Sequence, residues 1–201
     1  MMKQKKIVSI QGEIDHQVKN NLNIITSILG LQIQDIKKGS DEKLEDVLVK
    51  SKLRIETLSI IRNPKYKGKD FVTIDFKEYV KDLYLLINKT YNSNIKVKID
   101  ANNLSLSLDT MQSLGIIINE LLTNSLSHHV DKKIDITLNK DKSNCLFTYH
   151  EKDGDVVDIQ HIKKSKTLGI KLITLTVKQM KAHMNITQNG GLVFRIEFGC
   201  E

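Results

Sequence analysis

The feature that most constrains this chain is a stripe of apolar residues between residues 7 and 36. Its members are separated by three, four or seven positions: Ile7, Ile10, Ile14, Val18, Leu22, Ile25, Leu29 and Ile36. At about 100° per residue, these side chains fall on one face of an α-helix. The spacing therefore predicts a long amphipathic helix over residues 5–38, ending at Gly39, which suits a left-handed C-terminal cap.

A second helical pattern follows directly. It starts after Ser40, which can act as an N-cap, and should end near Asn63 because Pro64 disfavours helix in the residue before it. Two long helices joined by a short turn predict an antiparallel hairpin, whose broad apolar faces would remain exposed in a single copy. Pairing two hairpins into a four-helix bundle would bury these faces, which favours a homodimer over packing on the rest of the chain.

The remainder of the chain mixes helical and extended patterns. We expect helices after Asp75, over 110–129 with Asp109 as cap, and over 167–182, and we expect extended segments at 95–99, 104–108, 134–138, 146–149, 184–188 and 192–198. Residues 65–72 have the composition of a linker, and 151–166 lack a clear period. This order predicts an α+β chain: a helical hairpin (1–66), then a two-layer α/β sandwich (67–201) with a mixed sheet and helices on one face.

Composition narrows the classes of function. The net charge is +7, but the lysines are dispersed and aromatic residues make up only 5%, which argues against a nucleic-acid partner. Since no apolar run approaches the length of a bilayer span, we expect no membrane insertion. Cys145 and Cys200 lack metal-ligand spacing and fit a reduced, cytoplasmic compartment, although a disulfide between them is not excluded.

Two pairs of polar residues lie within the predicted helices and are candidates for chemistry. His16 lies opposite the first apolar stripe, and Asn20 shares its face because residues four apart are neighbours on a helix. A lone exposed histidine is most often ordinary surface. Glu120 and Asn124 are also four apart; a carboxylate and a carboxamide together can orient a water or hold a hard cation, whereas a solvated helix face is the simpler interpretation.

The segment H-Q-V-K-N-N-L-N-I-I that begins at His16 resembles the phosphoacceptor helix of two-component sensor histidine kinases, which reads H-x-V-K-N-N-L. In that family the histidine takes a phosphoryl group from ATP and passes it to an aspartate of a response regulator. The resemblance places His16 at the acceptor position. Asn20, one helical turn later, is then placed to position a water near the regulator's acyl phosphate.

The segment I-I-N-E-L-L-T-N-S-L-S-H-H, over 117–129, resembles the N box of the same kinases and of the wider GHKL, or Bergerat, ATPase fold. The resemblance implies that Glu120 is the acid–base or water-orienting carboxylate and that Asn124 is the Mg²⁺ ligand beside ATP. L-G-I-K-L-I at 168–173 resembles the start of the helix after the ATP lid, which would bring the Gly169 backbone near the phosphates. The turn Asn189-Gly190-Gly191 resembles the closing hairpin.

One motif departs from the family. Its D-x-G-x-G aspartate accepts a hydrogen bond from the adenine amino group. With Gly154 as the first glycine, Lys152 stands at the aspartate position, and a lysine has no acceptor. A shift of register would give that role to Glu151 or Asp153, so Asp153 and Gly154 are candidate nucleotide contacts.

The resemblance thus implies a cytoplasmic, homodimeric histidine kinase that uses ATP and Mg²⁺ to phosphorylate His16 and then phosphorylates the receiver domain of a response regulator. The departure at Lys152 leaves two alternatives. One is a histidine phosphotransferase with a degenerate ATP site, and the other is a scaffold that binds receiver domains without phosphotransfer.

Overall fold

The computed structural model describes residues 22–39, 43–61, 63–66, 73–126, 133–152, 158–165 and 167–200. The chain divides into two compact units, Met1–Ser51 and Lys52–Glu201. His16, Asn20, Asp153 and Gly154 lie outside the described residues, so their roles stay predictions.

The first unit contains helix α1, described over residues 22–37, and the start of helix α2 (Leu44–Ile60). Buried Gln32 of α1 donates a hydrogen bond to the backbone carbonyl of Val47 at 3.1 Å and accepts one from the Ser51 hydroxyl. These bonds hold α2 alongside α1 with the chain doubling back, as the hairpin pattern predicts. Gly39 has a φ of +82°, which confirms the left-handed conformation expected after the first helix.

The second unit is built on a five-stranded sheet in the order β2-β4-β5-β7-β6. Its strands are β2 (Lys96–Asp100), β4 (Lys133–Asp141), β5 (Asn144–Lys152), β6 (His183–Gln188) and β7 (Gly191–Gly199). Strand β2 runs parallel to β4, and all other neighbouring strands are antiparallel. A separate antiparallel pair joins β1 (Thr73–Asp75) to β3 (Ser105–Ser107). The mixed sheet confirms the predicted one.

Four helices accompany the sheet: α3 (Phe76–Tyr91), α4 (Leu108–Leu126), α5 (Ile159–Lys164) and α6 (Leu168–Gln179). The helix expected after Asp75 is confirmed, and Asp75 caps it, because its carboxylate accepts from the Glu78 N–H at 2.9 Å. Helix α4 is central, with α3 on one flank and α6 on the other, and it contacts β5. The core lies between these helices and the sheet, where the rings of Phe76 and Phe147 meet edge to face. The α+β sandwich is therefore confirmed.

Three local predictions were wrong. Helix α4 begins at Leu108, so Asp109 lies inside its first turn, and the Ser107 hydroxyl accepts from the Thr110 N–H instead. Strand β5 extends to Lys152, because pairing with β4 and β7 on both sides continues past its apolar run. The stretch expected to be irregular over 151–166 contains α5, whose first turn is capped by the Asp158 carboxylate.

The two cysteines lie at one end of the sheet, Cys145 on β5 and Cys200 just after β7. Cys145 faces Phe198 in the strand register, and the Cys200 N–H donates to the Ser143 carbonyl at 2.8 Å. The Cα atoms are 5.7 Å apart and the sulfurs form a disulfide, the alternative that the sequence left open. The two cysteines therefore do not support the reduced compartment that their spacing suggested.

We expect Cys145→Ser to lower the free energy of unfolding by about 2–4 kcal/mol in oxidising buffer, because the bridge links residues 55 positions apart and restricts the unfolded chain. Urea unfolding with and without dithiothreitol measures the difference. With reductant, wild type and variant should unfold at the same urea concentration. Equal stability in oxidising buffer would contradict the prediction.

Candidate functional site

Glu120 and Asn124 lie one turn apart on α4, and both approach the start of α6. A Cβ atom built on Gly169 would lie 3.1 Å from Glu120 Oε2 and 3.4 Å from Asn124 Nδ2. The structure therefore brings together the three described residues that the sequence selected. Glycine suits this position, because a side chain would press against the carboxylate and the carboxamide.

The Glu120 carboxylate is buried and held from two sides. Arg54 of α2 binds it with both arms of the guanidinium, Nε to Oε1 at 2.7 Å and Nη2 to Oε2 at 2.8 Å. The two side chains are 2% and 3% exposed, respectively. Asn119 Nδ2 also donates to Oε1 at 3.2 Å. Removing one partner from a buried pair of this kind costs about 3–5 kcal/mol, so Arg54 strongly constrains the carboxylate.

The sequence interpretation missed Arg54. The indication was available, because Arg54 lies within the buried stripe of α2, which consists of Val47, Ser51, Arg54 and Leu58 and continues to Ile61 just after the helix. A charged residue on such a stripe is almost never fully buried unless it is paired. The periodicity thus predicts a buried partner for Arg54 but does not identify it.

A second polar cluster follows Asn124 along α4. Ser125 Oγ lies 2.7 Å from the Tyr149 hydroxyl and donates to the Glu151 carboxylate, both on β5. Burial raises the pKa of the Tyr149 phenol, and the Glu151 charge adds to that effect while the Ser125 bond opposes it. The phenol therefore stays protonated and can donate to Ser125, which orders a chain of hydrogen bonds ending on Glu151.

Glu151 and Lys152 are successive residues of β5, so their side chains lie on opposite faces of the sheet. Because successive side chains point to opposite faces of a sheet, Lys152 is directed away from α4. Its Nζ pairs instead with Asp135 Oδ2 at 2.5 Å. The acidic side chain that faces α4 is Glu151, one of the two acidic residues that the sequence offered in place of Lys152.

The turn between β6 and β7 supports the backbone of Glu151. Gly191 has a φ of +137°, and a Cβ atom there would overlap the Glu151 carbonyl. A ring nitrogen of His150 lies 3.0 Å from the Asn189 carbonyl and joins the same turn to β5. The predicted glycine turn therefore has a packing role beside the second cluster.

The residues present fit a magnesium-bound triphosphate. Magnesium keeps several waters and takes few protein oxygens, sharing the rest of its coordination with phosphates, and the Asn124 carboxamide offers one such oxygen. The Thr167 side chain does not cap the N-terminus of α6, because its hydroxyl bonds instead to that of Ser165 at 3.1 Å. N–H groups at a helix N-terminus suit phosphate oxygens, and Gly169 lies in this first turn.

Comparison with known proteins shows similarity to histidine kinases. Residues 13–91 match the family HisKA_2, described as histidine kinase. Sensor histidine kinase PdtaS of Mycolicibacterium smegmatis is 24% identical over 199 residues, covering 93% of this chain and 39% of that protein. Blue-light-activated histidine kinase 2 of Erythrobacter litoralis is 24% identical over 198 residues, covering 92% of this chain and 56% of that protein. The chain therefore spans less than two thirds of either relative.

Solved structures show the same fold. The blue-light-activated histidine kinase EL346 of Erythrobacter litoralis superposes with a TM-score of 0.70 at 16% identity, covering 91% of this chain and 62% of that one. Histidine kinase AdeS of Acinetobacter baumannii superposes with a TM-score of 0.54 at 14% identity, covering 92% and 97%. These similarities confirm the α+β fold class, which the chain shares with solved histidine kinase structures.

Proposed function

We propose that this chain, which is related to the two-component sensor histidine kinases, is a protein histidine kinase that phosphorylates its own His16 from ATP. The observation that carries the proposal is the meeting of Glu120, Asn124 and Gly169 at the start of α6. Phosphoryl transfer needs little more from a protein than positioning and charge neutralisation. These groups would supply the positioning, and the Mg²⁺ that Asn124 would hold would supply the neutralising charge.

Each residue has a distinct proposed task. Asn124 holds Mg²⁺, which when bound neutralises charge on the phosphates. Glu120 orients the attacking group or takes its proton, and the Gly169 backbone allows the phosphates close approach. His16 accepts the phosphoryl group and passes it to a receiver-domain aspartate of a response regulator. Asn20 then positions water for the later release of phosphate from that regulator.

We assign phosphoacceptor and dimerisation roles to residues 1–66 and nucleotide binding to residues 67–201, in a cytoplasmic homodimer. Support for the homodimer comes from large apolar side chains that are 41–67% exposed on the first unit: Leu22, Leu29, Ile33, Ile36, Leu44 and Leu48. Burying them between two hairpins would remove this apolar surface from water. Among the residues that the structure describes, no helix is long and apolar enough to cross a membrane.

We further propose that Glu151 recognises the base. Adenine presents an amino donor where guanine presents a carbonyl acceptor, so a carboxylate there favours ATP. Wild type should prefer Mg·ATP to Mg·GTP, and Glu151→Gln should reduce that preference about 10-fold, the scale of one charged hydrogen bond. Calorimetric titration with both nucleotides measures it. Glu197→Gln, at an exposed position of β7, is the matched control.

The same titration distinguishes the kinase from the two alternative functions. Equal affinity of wild type for ATP and GTP would overturn the role of Glu151. If no nucleotide binds at millimolar concentration, the chain is a histidine phosphotransferase or a receiver-binding scaffold. Those two differ in whether His16 takes a phosphoryl group from a phosphorylated donor protein.

A further inference from the structure

Arg54 is the side chain beside the candidate site that the proposed function leaves unexplained. It reaches the site from α2, a single helix from Leu44 to Ile60, whereas Glu120 belongs to α4. Nothing in the packing of two helices requires an ion pair, since apolar side chains of similar volume pack as well or better. A buried arginine bound bidentately to a carboxylate does supply fixed geometry, because the planar fork matches both oxygens at once.

The neighbouring contacts hold the two helices in register around this pair. The Thr57 hydroxyl, one turn after Arg54, lies 3.4 Å from Asn119 Oδ1, and Asn119 itself donates to Glu120. The Tyr79 hydroxyl donates to the Thr57 carbonyl at 3.1 Å. A Cβ atom on Gly115 would overlap the Tyr79 hydroxyl, so glycine at this position permits that hydroxyl to approach α4 closely. The carboxylate of Glu120 therefore has one supported orientation.

We propose that Arg54 is a positioning residue for autophosphorylation. Its guanidinium binds both oxygens of the Glu120 carboxylate and fixes that carboxylate beside Asn124 and Gly169, so Arg54 controls the rate of phosphoryl transfer and leaves nucleotide affinity almost unchanged. This inference rests on the proposed catalytic role of Glu120. It also makes α2, the second helix of the hairpin, a direct support of the catalytic carboxylate.

A double-mutant cycle tests the inference. The variants are Arg54→Gln, Glu120→Gln and the two combined; Arg54→Lys keeps the charge without the fork, so its rate should be intermediate between wild type and Arg54→Gln. Arg195→Gln is the matched control, because Arg195 lies on β7 and bonds only weakly to Thr187 Oγ1, at 3.4 Å. The rate of labelling at saturating Mg·ATP and the calorimetric Kd for Mg·ATP are measured for each.

We expect Arg54→Gln to slow labelling about 10- to 100-fold with less than about a 2-fold change in Kd, as for a lost electrostatic support. In the Glu120→Gln background, the same change should slow labelling less than about 2-fold, because the residue acts through Glu120. A structural readout accompanies the rates. The chain has three arginines, and one protected Nε–H resonance should disappear in Arg54→Gln and shift in Glu120→Gln.

Failure of the inference and failure of the proposed function are distinguishable. If wild type is labelled and the two losses multiply, or if Arg54→Gln changes only Kd, Arg54 is a structural residue and the inference is overturned alone. If Arg54→Gln does not fold, the comparison of Arg54→Lys with wild type and of the double variant with Glu120→Gln gives the same decision. If wild type takes no label from ATP, the proposed function fails and the inference fails with it.

Discussion

Replacing His16 with glutamine is expected to remove all acid-labile phosphorylation of the chain. Glutamine keeps a polar side chain on the helix but has no ring nitrogen to form a phosphoramidate bond. The sequence predicts that His16 lies opposite the apolar stripe of the first helix, so we expect the change to leave the hairpin folded and able to dimerise. Incubation with labelled ATP and Mg²⁺ measures the loss, and circular dichroism with size-exclusion chromatography measures helicity and assembly.

His183→Gln is the control for this variant, since His183 is an exposed residue of β6. It should be labelled like wild type. Undiminished labelling of His16→Gln, from ATP or from a phosphorylated donor protein, would show that another residue is the acceptor. Loss of label together with loss of helicity would mean that His16 has a structural role instead.

Asn124→Ala is expected to produce the next largest effect, a loss of about 10²- to 10³-fold in the rate of labelling. Without the carboxamide oxygen, the metal loses its protein ligand and charge on the phosphates is less well neutralised. The affinity for ATP should also depend on this ligand. Adding Mg²⁺ should strengthen ATP binding to wild type and have little effect on ATP binding to Asn124→Ala. Calorimetry with and without Mg²⁺ measures this difference.

The matched control is Asn185→Ala, which removes the same group from an exposed position on β6. It should behave as wild type in both assays. If Asn124→Ala binds Mg·ATP as tightly as wild type and is labelled at the same rate, the metal is held elsewhere. We expect Asn124→Ala to fold, because Asn124 is not among the buried core residues of α4, and urea unfolding of the variant measures this.

The spacing of apolar residues predicted most of the helices and strands, because this spacing depends only on residues that are close in the sequence. Apolar residues three and four apart identified α2, α3, α4 and α6, and alternation identified most of the strands. Non-local features were harder to predict. Strand β1 contains only three residues and exists through its pairing with β3, and α5 is a short helix with little apolar pattern.

The same distinction holds within the candidate site. Glu120 and Asn124 were found because they share one helix and one motif, and Gly169 because a second motif contains it. Arg54 was missed because its partner lies 66 residues away. The sequence left Glu151 and Asp153 as alternatives to Lys152 for the contact with adenine, because a one-residue shift along a strand exchanges the side chains that face α4.

Transfer of the phosphoryl group from ATP to this chain can be measured by incubating the purified protein with γ-labelled ATP and Mg²⁺ and then exposing the labelled protein to acid and to base. We predict a label that acid removes and base leaves in place, as a phosphohistidine requires. If the chain takes no label from ATP but accepts a phosphoryl group from a phosphorylated donor protein, it is a phosphotransferase and not a kinase.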